Sequence, residues 1–154
     1  MGTEIKKVNR NYLKDFVEVY RESYKGLEKY AYLSARDIKR YFKWLMSRDP
    51  EGFFVAEVNG SVVGFVASDA NWFSFTEVKK VGEIHELFVH PSWRRKGIGT
   101  TLLLKAINYI KSRGRSTVEL WVGNNNFGAI SFYRKFGFKE KGNLGRWIIM
   151  VLKI

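Results

Sequence analysis

The sequence predicts one α/β domain built around a mixed β-sheet. Two β-rich runs flank Asn59-Gly60, a dipeptide typical of tight hairpins, which makes these runs antiparallel neighbours. Further along the chain an apolar-faced helix joins two more strands, and a strand–helix–strand unit favours parallel pairing. The length of 154 residues suits a single domain with a sizeable core, so residues 1–154 are taken as one domain.

The N-terminal part is predicted to be a strand followed by two helices. Residues 3–8 alternate in polarity as a strand does. Asn9 or Asn11 can cap the first helix, whose apolar residues reach Tyr20 at helical spacing. The second helix begins after Ser34, where a pattern like a capping box precedes apolar residues three and four apart.

The middle of the chain is predicted to supply three strands. Asp49-Pro50-Glu51-Gly52 ends the second helix, and the two hairpin strands occupy residues 53–58 and 61–67. Residues 69–80 are rich in aromatic side chains and are predicted to form a loop. A longer strand over residues 81–89 ends at His90-Pro91.

The C-terminal part is predicted to alternate helices and strands. Apolar residues from Ile98 onward lie along one helical face until Gly114 stops the helix. Residues 117–122 form a strand that can run parallel to the strand before this helix. A short helix closes at Gly137, and residues 146–152 supply the last strand. The predicted order is therefore β-α-α-β-β-β-α-β-α-β.

Composition excludes several kinds of chemistry. The chain has no cysteine, which excludes disulfides, thiolate metal sites and a cysteine nucleophile. With two histidines it is also poorly equipped for a histidine-rich site, so no bound metal is expected. No apolar run of membrane-spanning length is present, and the N-terminus lacks the apolar stretch of a signal peptide. A soluble cytoplasmic protein is the expectation.

Positive charge is concentrated in the C-terminal third. The net charge is +12; residues 101–154 hold ten Lys or Arg against two acids, whereas residues 51–100 hold five against six. This bias predicts an anionic partner, either a phosphate-bearing cofactor or a nucleic acid, although solubility at high temperature would produce the same bias. Nucleic acid is the less favoured of the two because the chain has no basic tail. The candidate cluster for it is Lys135, Lys139, Lys141 and Arg146.

The most specific segment of the sequence spans residues 90–100. It leaves a strand through a basic turn and enters an apolar-faced helix. Gly97 and Gly99 let the backbone approach a ligand closely, and the free N–H groups at the helix start favour an anion. Three basic side chains add charge: Arg94, Arg95 and Lys96. The turn therefore predicts phosphate binding, although it matches neither the dinucleotide fingerprint nor a P-loop.

Arg94, Gly97 and Gly99 match the Arg/Gln-x-x-Gly-x-Gly/Ala signature of the GNAT superfamily of acyl-CoA-dependent N-acyltransferases, which this sequence resembles. The resemblance continues in residues 87–91, 126–133 and 136–138. It covers the second half of the chain, and the first half fits in element pattern alone. It implies a central twisted sheet with two splayed parallel strands.

The resemblance also implies where acetyl-CoA, the acetyl donor, binds. Its pantetheine arm would pair with the first splayed strand, and its pyrophosphate would lie on the N–H groups that open the following helix. The implied binding residues are Leu87, Phe88, Val89, Arg94, Arg95, Lys96, Gly97, Ile98, Gly99, Thr100, Asn126 and Ala129.

Two residues are candidates for proton transfer. Tyr133 matches the family's tyrosine that protonates the departing thiolate; the alternative is an ordinary core aromatic. Glu83 lies eleven residues before Arg94, the offset at which several protein-acetylating branches carry a catalytic carboxylate. It is the expected general base, unless it pairs with a surface lysine. On the next strand, where the branch that acetylates ribosomal proteins has a glutamate, this chain has Trp121, and Glu119 is a weaker substitute.

Strand alternation predicts which side chains share a face with Glu83. His85, Leu87 and Val89 should lie on its side of the strand, and Glu86 on the other. Glu86 can join Glu83 and His85 only if a bulge interrupts the alternation. Aromatic residues between positions 20 and 44 and between 72 and 75 can wall an acceptor pocket or pack in the core.

The sequence therefore predicts an N-acetyltransferase that moves the acetyl group of acetyl-CoA to a primary amine of a protein or small molecule. Direct transfer in a ternary complex is expected, because no cysteine or activated serine is available. A non-catalytic acetyl-CoA sensor and a basic nucleic-acid-binding protein are the two alternatives. The amine and the oligomeric state stay open, and a homodimer is compatible with the sequence.

Overall fold

Seven strands and four helices make up the computed structural model, which describes residues 2–154. The strands are β1 (Thr3–Lys7), β2 (Phe53–Val58), β3 (Ser61–Ser74), β4 (Lys79–Val89), β5 (Thr117–Gly123), β6 (Lys139–Leu144) and β7 (Trp147–Lys153). The helices are α1 (Leu13–Ser23), α2 (Ala35–Arg48), α3 (Ile98–Ser112) and α4 (Phe127–Phe136). One sheet contains all the strands in the order β1-β2-β3-β4-β5-β7-β6, and β4–β5 is its parallel pair.

A hydrophobic core covers each face of the sheet. On one face α1 and α2 pack over β2–β4 around Phe16, which is fully buried and contacts the rings of Phe42 and Phe65. On the other face α3 and α4 pack over the sheet through residues such as Leu102 and Leu120. Burying each large apolar side chain contributes about 1.5–3 kcal/mol relative to leaving it exposed, so both layers hold the sheet in place.

The predicted fold class and most elements are confirmed. Asn59 and Gly60 have φ values of +52° and +79°, as a two-residue turn of the primed type requires, and they join β2 to β3. The Ser34 side chain accepts a hydrogen bond from the Asp37 backbone N–H and caps α2. Asn9 caps a short 3₁₀ turn ahead of α1.

Two sequence predictions about elements are wrong. Most of residues 69–80, predicted as a loop, continues the hairpin of β3 and β4, and only Phe75–Val78 forms the turn. The pairing of β3 with β4 is irregular between Asp69 and Trp72. This irregularity breaks the alternation of polar and apolar residues by which a strand is predicted from sequence. Strand β6 was not predicted, because this edge strand is polar and largely exposed and carries no apolar alternation.

The parallel pair β4–β5 separates soon after it begins. Its aligned residues are Gly82–Ile84 against Val118–Leu120, and beyond them β4 pairs with β3 alone. A bulge lies at the same place, because Ile84 aligns with Ser68 while Glu86 aligns with the adjacent Ala67. His85 is the extra residue. The two strands thus splay apart immediately after the bulge, as the family resemblance implied.

Candidate active site

A cavity of about 460 Å³ occupies the gap between the splayed strands. Strand β4 contributes Ile84–Leu87 to its wall and β5 contributes Leu120–Gly123. Side chains from both layers of helices complete the lining: Tyr20, Tyr24, Tyr41, Asn126, Ala129 and Tyr133, with Lys29–Tyr32 and Trp147 at one end. The cavity therefore connects the α1–α2 face of the sheet to the α3–α4 face.

Glu86 presents a carboxylate to this cavity. The Tyr24 hydroxyl donates to Glu86 Oε2 at 2.7 Å, and the Tyr41 hydroxyl donates to Oε1 at 2.9 Å. Burial raises the pKa of Glu86 to about 7, although the two tyrosine hydrogen bonds act in the opposite direction. At neutral pH this group is divided between its acid and its carboxylate, which suits proton transfer.

The bulge at His85 determines where Glu86 points. Without it, alternation would send Glu86 to the α3–α4 face; with it, His85 and Glu86 both lie on the α1–α2 face. Leu87 and Val89 then pack against the opposite core, which corrects the prediction that they share a face with Glu83. The exception foreseen in the sequence, a bulge that lets Glu86 join His85, is the arrangement found.

His85 is fixed by a buried carboxylate. Its Nε2 lies 3.0 Å from Asp69 Oδ2, and Arg48 Nε donates to the same oxygen at 2.8 Å. Burial alone would raise the pKa of Asp69, but the hydrogen bonds from His85, Arg48 and the Asn71 backbone N–H outweigh it and hold the pKa at about 2. Asp69 is therefore ionised, and it anchors the imidazole at the edge of the cavity.

Glu83 lies outside the cavity lining. Its side chain is 4% exposed and adjoins Glu119, the residue beside it in the parallel register. Burial and this second carboxyl raise the pKa of Glu83 well above its usual range. Among residues 2–154, Glu83 Oε1 has no hydrogen-bond partner, while Ser74 and Thr76 donate to Glu119. Glu83 and Glu119 therefore form a pair of buried carboxyl groups beneath the β3–β4 turn.

Tyr133 reaches the cavity from the α3–α4 side. It is 7% exposed and packs between the rings of Phe132 and Phe138. Burial, with a smaller effect of the Glu86 charge, raises the pKa of the Tyr133 hydroxyl, so it carries its proton at neutral pH. Asn126 caps α4 by accepting the Ala129 backbone N–H, and both residues line the same end of the cavity.

The basic turn opens α3 as the sequence predicted. Gly97 has φ +81°, a left-handed value that favours glycine, and Arg95 is also left-handed at +61°. The first helical hydrogen bond runs from the Thr101 N–H to the Gly97 carbonyl, which leaves the preceding N–H groups at the helix start free. A Cβ added at Gly97 would have no heavy atom within 4 Å. This open cradle fits a pyrophosphate.

Individual residues of the turn have different environments. Arg94 Nη2 donates to the Ser23 carbonyl at 2.8 Å, so this side chain ties the turn to the end of α1. Arg95, Lys96 and Thr100 are exposed around the cradle, whereas Ile98 is buried in the core and contributes backbone alone.

The backbone of Leu87–Val89 fits an extended ligand. These residues pair with β3 on one side, and their edge toward β5 has no strand partner. Phe88 is buried in the α1–α2 core and Val89 packs against the other core. Neither side chain is needed at the edge, because an extended arm pairs with backbone groups.

The segment between α1 and α2, residues 24–34, which we call the strap, borders one end of the cavity. The Tyr30 hydroxyl donates to Asn124 Oδ1 at 2.6 Å and accepts the Asn125 N–H at 2.8 Å. Its ring lies against Gly123. Arg146 Nη1 donates to the Lys29 carbonyl at 2.6 Å. The strap is thereby attached to the β5–α4 loop and to the β6–β7 turn.

A family model described as the acetyltransferase (GNAT) family matches residues 13–138. The chain belongs to this GNAT family of acetyltransferases. The predicted class, an acetyl-CoA-dependent N-acetyltransferase, is confirmed by this membership. Within residues 2–154 no helix has the length and apolar character needed to cross a membrane, and no group of three or more acidic or histidine side chains is placed to hold a metal ion.

Relatives of this GNAT protein agree with the assignment. An uncharacterised N-acetyltransferase of Methanocaldococcus jannaschii is 53% identical over 150 residues, which are 97% of this chain and 66% of that protein. A crystal structure from Pyrococcus horikoshii superposes with a TM-score of 0.90 at 37% identity and covers 99% of both chains. The PaiA N-acetyltransferase of Thermoplasma acidophilum, solved with coenzyme A, gives a TM-score of 0.80 at 28% identity over the full length of both chains.

Four of the residues that the sequence proposed for the site line one cavity. Leu87, Asn126, Ala129 and Tyr133 all line the cavity that the sequence could not show. Glu86 and its two tyrosines were missed as a unit, because Tyr24 at the end of α1 and Tyr41 on α2 are far from Glu86 in sequence. The one available signal was the unusual density of tyrosine between positions 20 and 41.

Proposed function

We propose that this chain transfers the acetyl group of acetyl-CoA to a primary amine held against Glu86. The observation that supports the proposal is the Glu86 carboxylate, with a pKa of about 7, in a cavity that opens to both faces of the splayed sheet. Acetyl-CoA, when bound, supplies a thioester carbonyl at this gap. Leu87–Val89, the α3 turn, Asn126 and Ala129 are the residues that would hold it.

Glu86 is the proposed general base. A primary ammonium has a pKa near 10 and is not nucleophilic until it loses a proton. The Glu86 carboxylate takes that proton, and the amine nitrogen then bonds to the thioester carbon. A carboxylate with a raised pKa is a stronger base than an exposed one, which lowers the cost of this transfer. A backbone N–H on the free edge of β4 near Phe88 would stabilise the oxyanion.

Tyr133 is the proposed acid for the leaving group. When the carbon–sulfur bond breaks, the sulfur leaves as a thiolate whose usual pKa is near 8.5. The protonated Tyr133 hydroxyl can donate to it from the α3–α4 side of the cavity, and the tyrosinate regains a proton from the nitrogen, which gives up its second proton as the amide forms. The base and the acid thus act from opposite faces of the gap, which permits direct transfer without a covalent enzyme intermediate.

The proposed base can be tested by a matched pair of substitutions on one strand. Glu86→Gln and Glu83→Gln make the same carboxyl-to-amide change three residues apart. With a panel of primary amines and acetyl-CoA, release of the free thiol reports turnover. We expect Glu86→Gln to lower kcat by roughly 10²–10⁴-fold and to abolish the rise in kcat/KM that the parent shows up to about pH 7.

Glu83→Gln is expected to keep that pH profile, because Glu83 does not line the cavity. Calorimetric binding of acetyl-CoA should be the same for both variants, which controls for folding and for the donor site. If Glu83→Gln abolished turnover while Glu86→Gln retained it, the sequence-based choice of Glu83 as base would be right and the present proposal wrong.

A further inference from the structure

A row of tyrosine rings leads from Glu86 to the surface. The ring centroids of Tyr24 and Tyr20 are 4.7 Å apart, those of Tyr20 and Tyr41 are 6.0 Å apart, and those of Tyr41 and Tyr32 are 5.0 Å apart. All four residues line the cavity. At the inner end, Tyr24 and Tyr41 hold Glu86; at the outer end, Tyr32 is 50% exposed. The row forms one aromatic wall of the acceptor path.

Charged groups along this path are few and unevenly placed. Among residues 2–154, Glu86 is the one carboxylate that lines the cavity, and Lys29 is the one lysine or arginine. Arg146 donates to the Lys29 carbonyl and so brings a second cation to the same rim. His85 adds an imidazole, already bonded to Asp69. Negative charge is therefore deep in the cavity and positive charge lies at its mouth.

This arrangement distinguishes between classes of amine. One ammonium can contact the Glu86 carboxylate and the adjacent ring faces, which attract cations. The remainder of such a molecule would lie along Tyr41 and Tyr32, which favour apolar or aromatic groups. A second ammonium on the same molecule would find no further carboxylate in the lining and would approach Lys29, a like charge.

We infer that the acceptor is a primary amine with a single positive charge attached to an apolar or aromatic body, and that Tyr32 is a specificity-determining residue for it. The inference rests on the proposed function, since it assigns the acceptor side of the same cavity. A free aralkylamine and the N-terminal residue of a peptide share this chemistry. Polyamines lack it.

A matched pair of amines isolates the effect of the second charge. Hexylamine and hexamethylenediamine differ by one terminal ammonium. With acetyl-CoA fixed, we expect kcat/KM for hexylamine to exceed that for the diamine by about tenfold. Two further acceptors, 2-phenylethylamine and the peptide Phe-Gly-Gly, distinguish a free amine from a peptide N-terminus. The preferred kind of acceptor is the one that is acetylated faster. A diamine that is acetylated as fast as hexylamine, or faster, overturns the inference.

Tyr32 variants test the wall separately from the chemistry. Tyr32→Ala is expected to raise KM for 2-phenylethylamine about fivefold with kcat unchanged, and Tyr32→Phe should restore the parent KM. Phe73→Ala removes an aromatic side chain of similar exposure on the β3–β4 hairpin and serves as the control. Equal KM values for Tyr32→Ala and the parent would show that Tyr32 does not determine specificity for the acceptor.

The outcomes also separate this inference from the proposed base. Binding of both C6 amines to the acetyl-free CoA complex is measured by tryptophan fluorescence in the parent and in Glu86→Gln. Tighter binding of hexylamine supports the acceptor class even if Glu86→Gln retains turnover, which would refute the base alone. Tighter binding of the diamine, or no binding of either amine, overturns the acceptor class whatever Glu86→Gln does.

Discussion

Glu86 shows how one extra residue in a strand changes the chemistry of a site. The bulge at His85 rotates the following side chain to the α1–α2 face, where two tyrosine hydroxyls donate to its carboxylate. Each oxygen keeps room for a further hydrogen bond from an amine. Glu83 precedes the bulge and lies beside Glu119 in the parallel register, out of the cavity lining. A single backbone irregularity thus brings Glu86 to the α1–α2 face of the cavity.

Asp69 is expected to stabilise the fold beside this site. Asp69→Asn removes the charge that Arg48 and His85 share, and we expect it to lower the free energy of unfolding at pH 7 by about 3 kcal/mol. The folded-state pKa of Asp69 is depressed to about 2, so its contribution is full above the unfolded value of 3.8 and is lost as pH falls toward 2. Urea unfolding at pH 7 and below pH 3 measures this difference.

An exposed carboxylate provides the comparison for Asp69. Glu140 pairs with Arg134 at 3.4 Å on the surface, so Glu140→Gln should change the free energy of unfolding by no more than about 0.5 kcal/mol. A similar small effect of Asp69→Asn at pH 7 would show that the buried carboxylate does not anchor His85 and Arg48.

The strap between α1 and α2 contributes one part of the cavity wall. It carries Lys29, Tyr30 and Tyr32, and its attachments are to β5, the loop after β5 and the β6–β7 turn. The contact with β5 requires glycine, because a Cβ on Gly123 would lie 2.6 Å from the Tyr30 ring. The spacing of α1 and α2 along the sequence determines the length of the strap. Close packing of Tyr30 on Gly123 holds the strap in position.

Gly123→Ala is expected to release the strap. Tyr30 must move to admit the methyl group, which lowers the free energy of unfolding by about 1–3 kcal/mol and increases amide hydrogen exchange in residues 24–34. Gly128→Ala is the matched control, since a Cβ there meets no heavy atom within 4 Å and alanine favours the helix. Unchanged exchange in the strap of Gly123→Ala would show that Tyr30 is not held by this contact.

Across the whole molecule, two cores on opposite faces allow the sheet to open in the middle. Strands β4 and β5 are each held by other partners, β3 and β7, so their separation leaves both strands in the sheet. The gap provides a cavity but also buries carboxyl groups, and Glu86 and Glu83 both have raised pKa values. The site is therefore built at a cost in stability that depends on pH.

The cost predicts an unusual pH dependence of stability. The folded-state pKa of Glu86 is raised from 4.5 to about 7, so the folded protein holds this proton more tightly than the unfolded chain. Its effect on stability is absent below pH 4.5, grows as pH rises and is complete above pH 7. Glu86→Gln should therefore gain up to about 3 kcal/mol relative to the parent between pH 4.5 and 8.

Thermal or urea unfolding across this pH range checks the prediction. The parent should lose stability toward pH 8 more steeply than Glu86→Gln, and Glu83→Gln should flatten the curve in the same direction because its pKa is raised too. Parallel curves for the parent and Glu86→Gln would mean that the carboxyl titrates near its usual value.

The sequence by itself determined the elements that local patterns encode. Asn59-Gly60 specified a hairpin because both positions accept left-handed backbone, and residues 94–100 specified a glycine-bearing turn at a helix start. The family signature lies in that contiguous segment, so the class of enzyme could be predicted from the sequence. The polar strand β6 could not be predicted from the sequence, because a strand that is exposed on both faces has no apolar period.

The tertiary structure alone decided the acceptor side. Glu86 faces the cavity because β3 and β4 pair out of step around His85, and that register depends on two strands together. Tyr24, which follows α1, and Tyr41 on α2 meet Glu86 because both helices pack on the same face of the sheet. Glu119 lies beside Glu83 in the parallel register of β4 and β5. Contacts between residues distant in sequence depend on packing, which no single segment encodes.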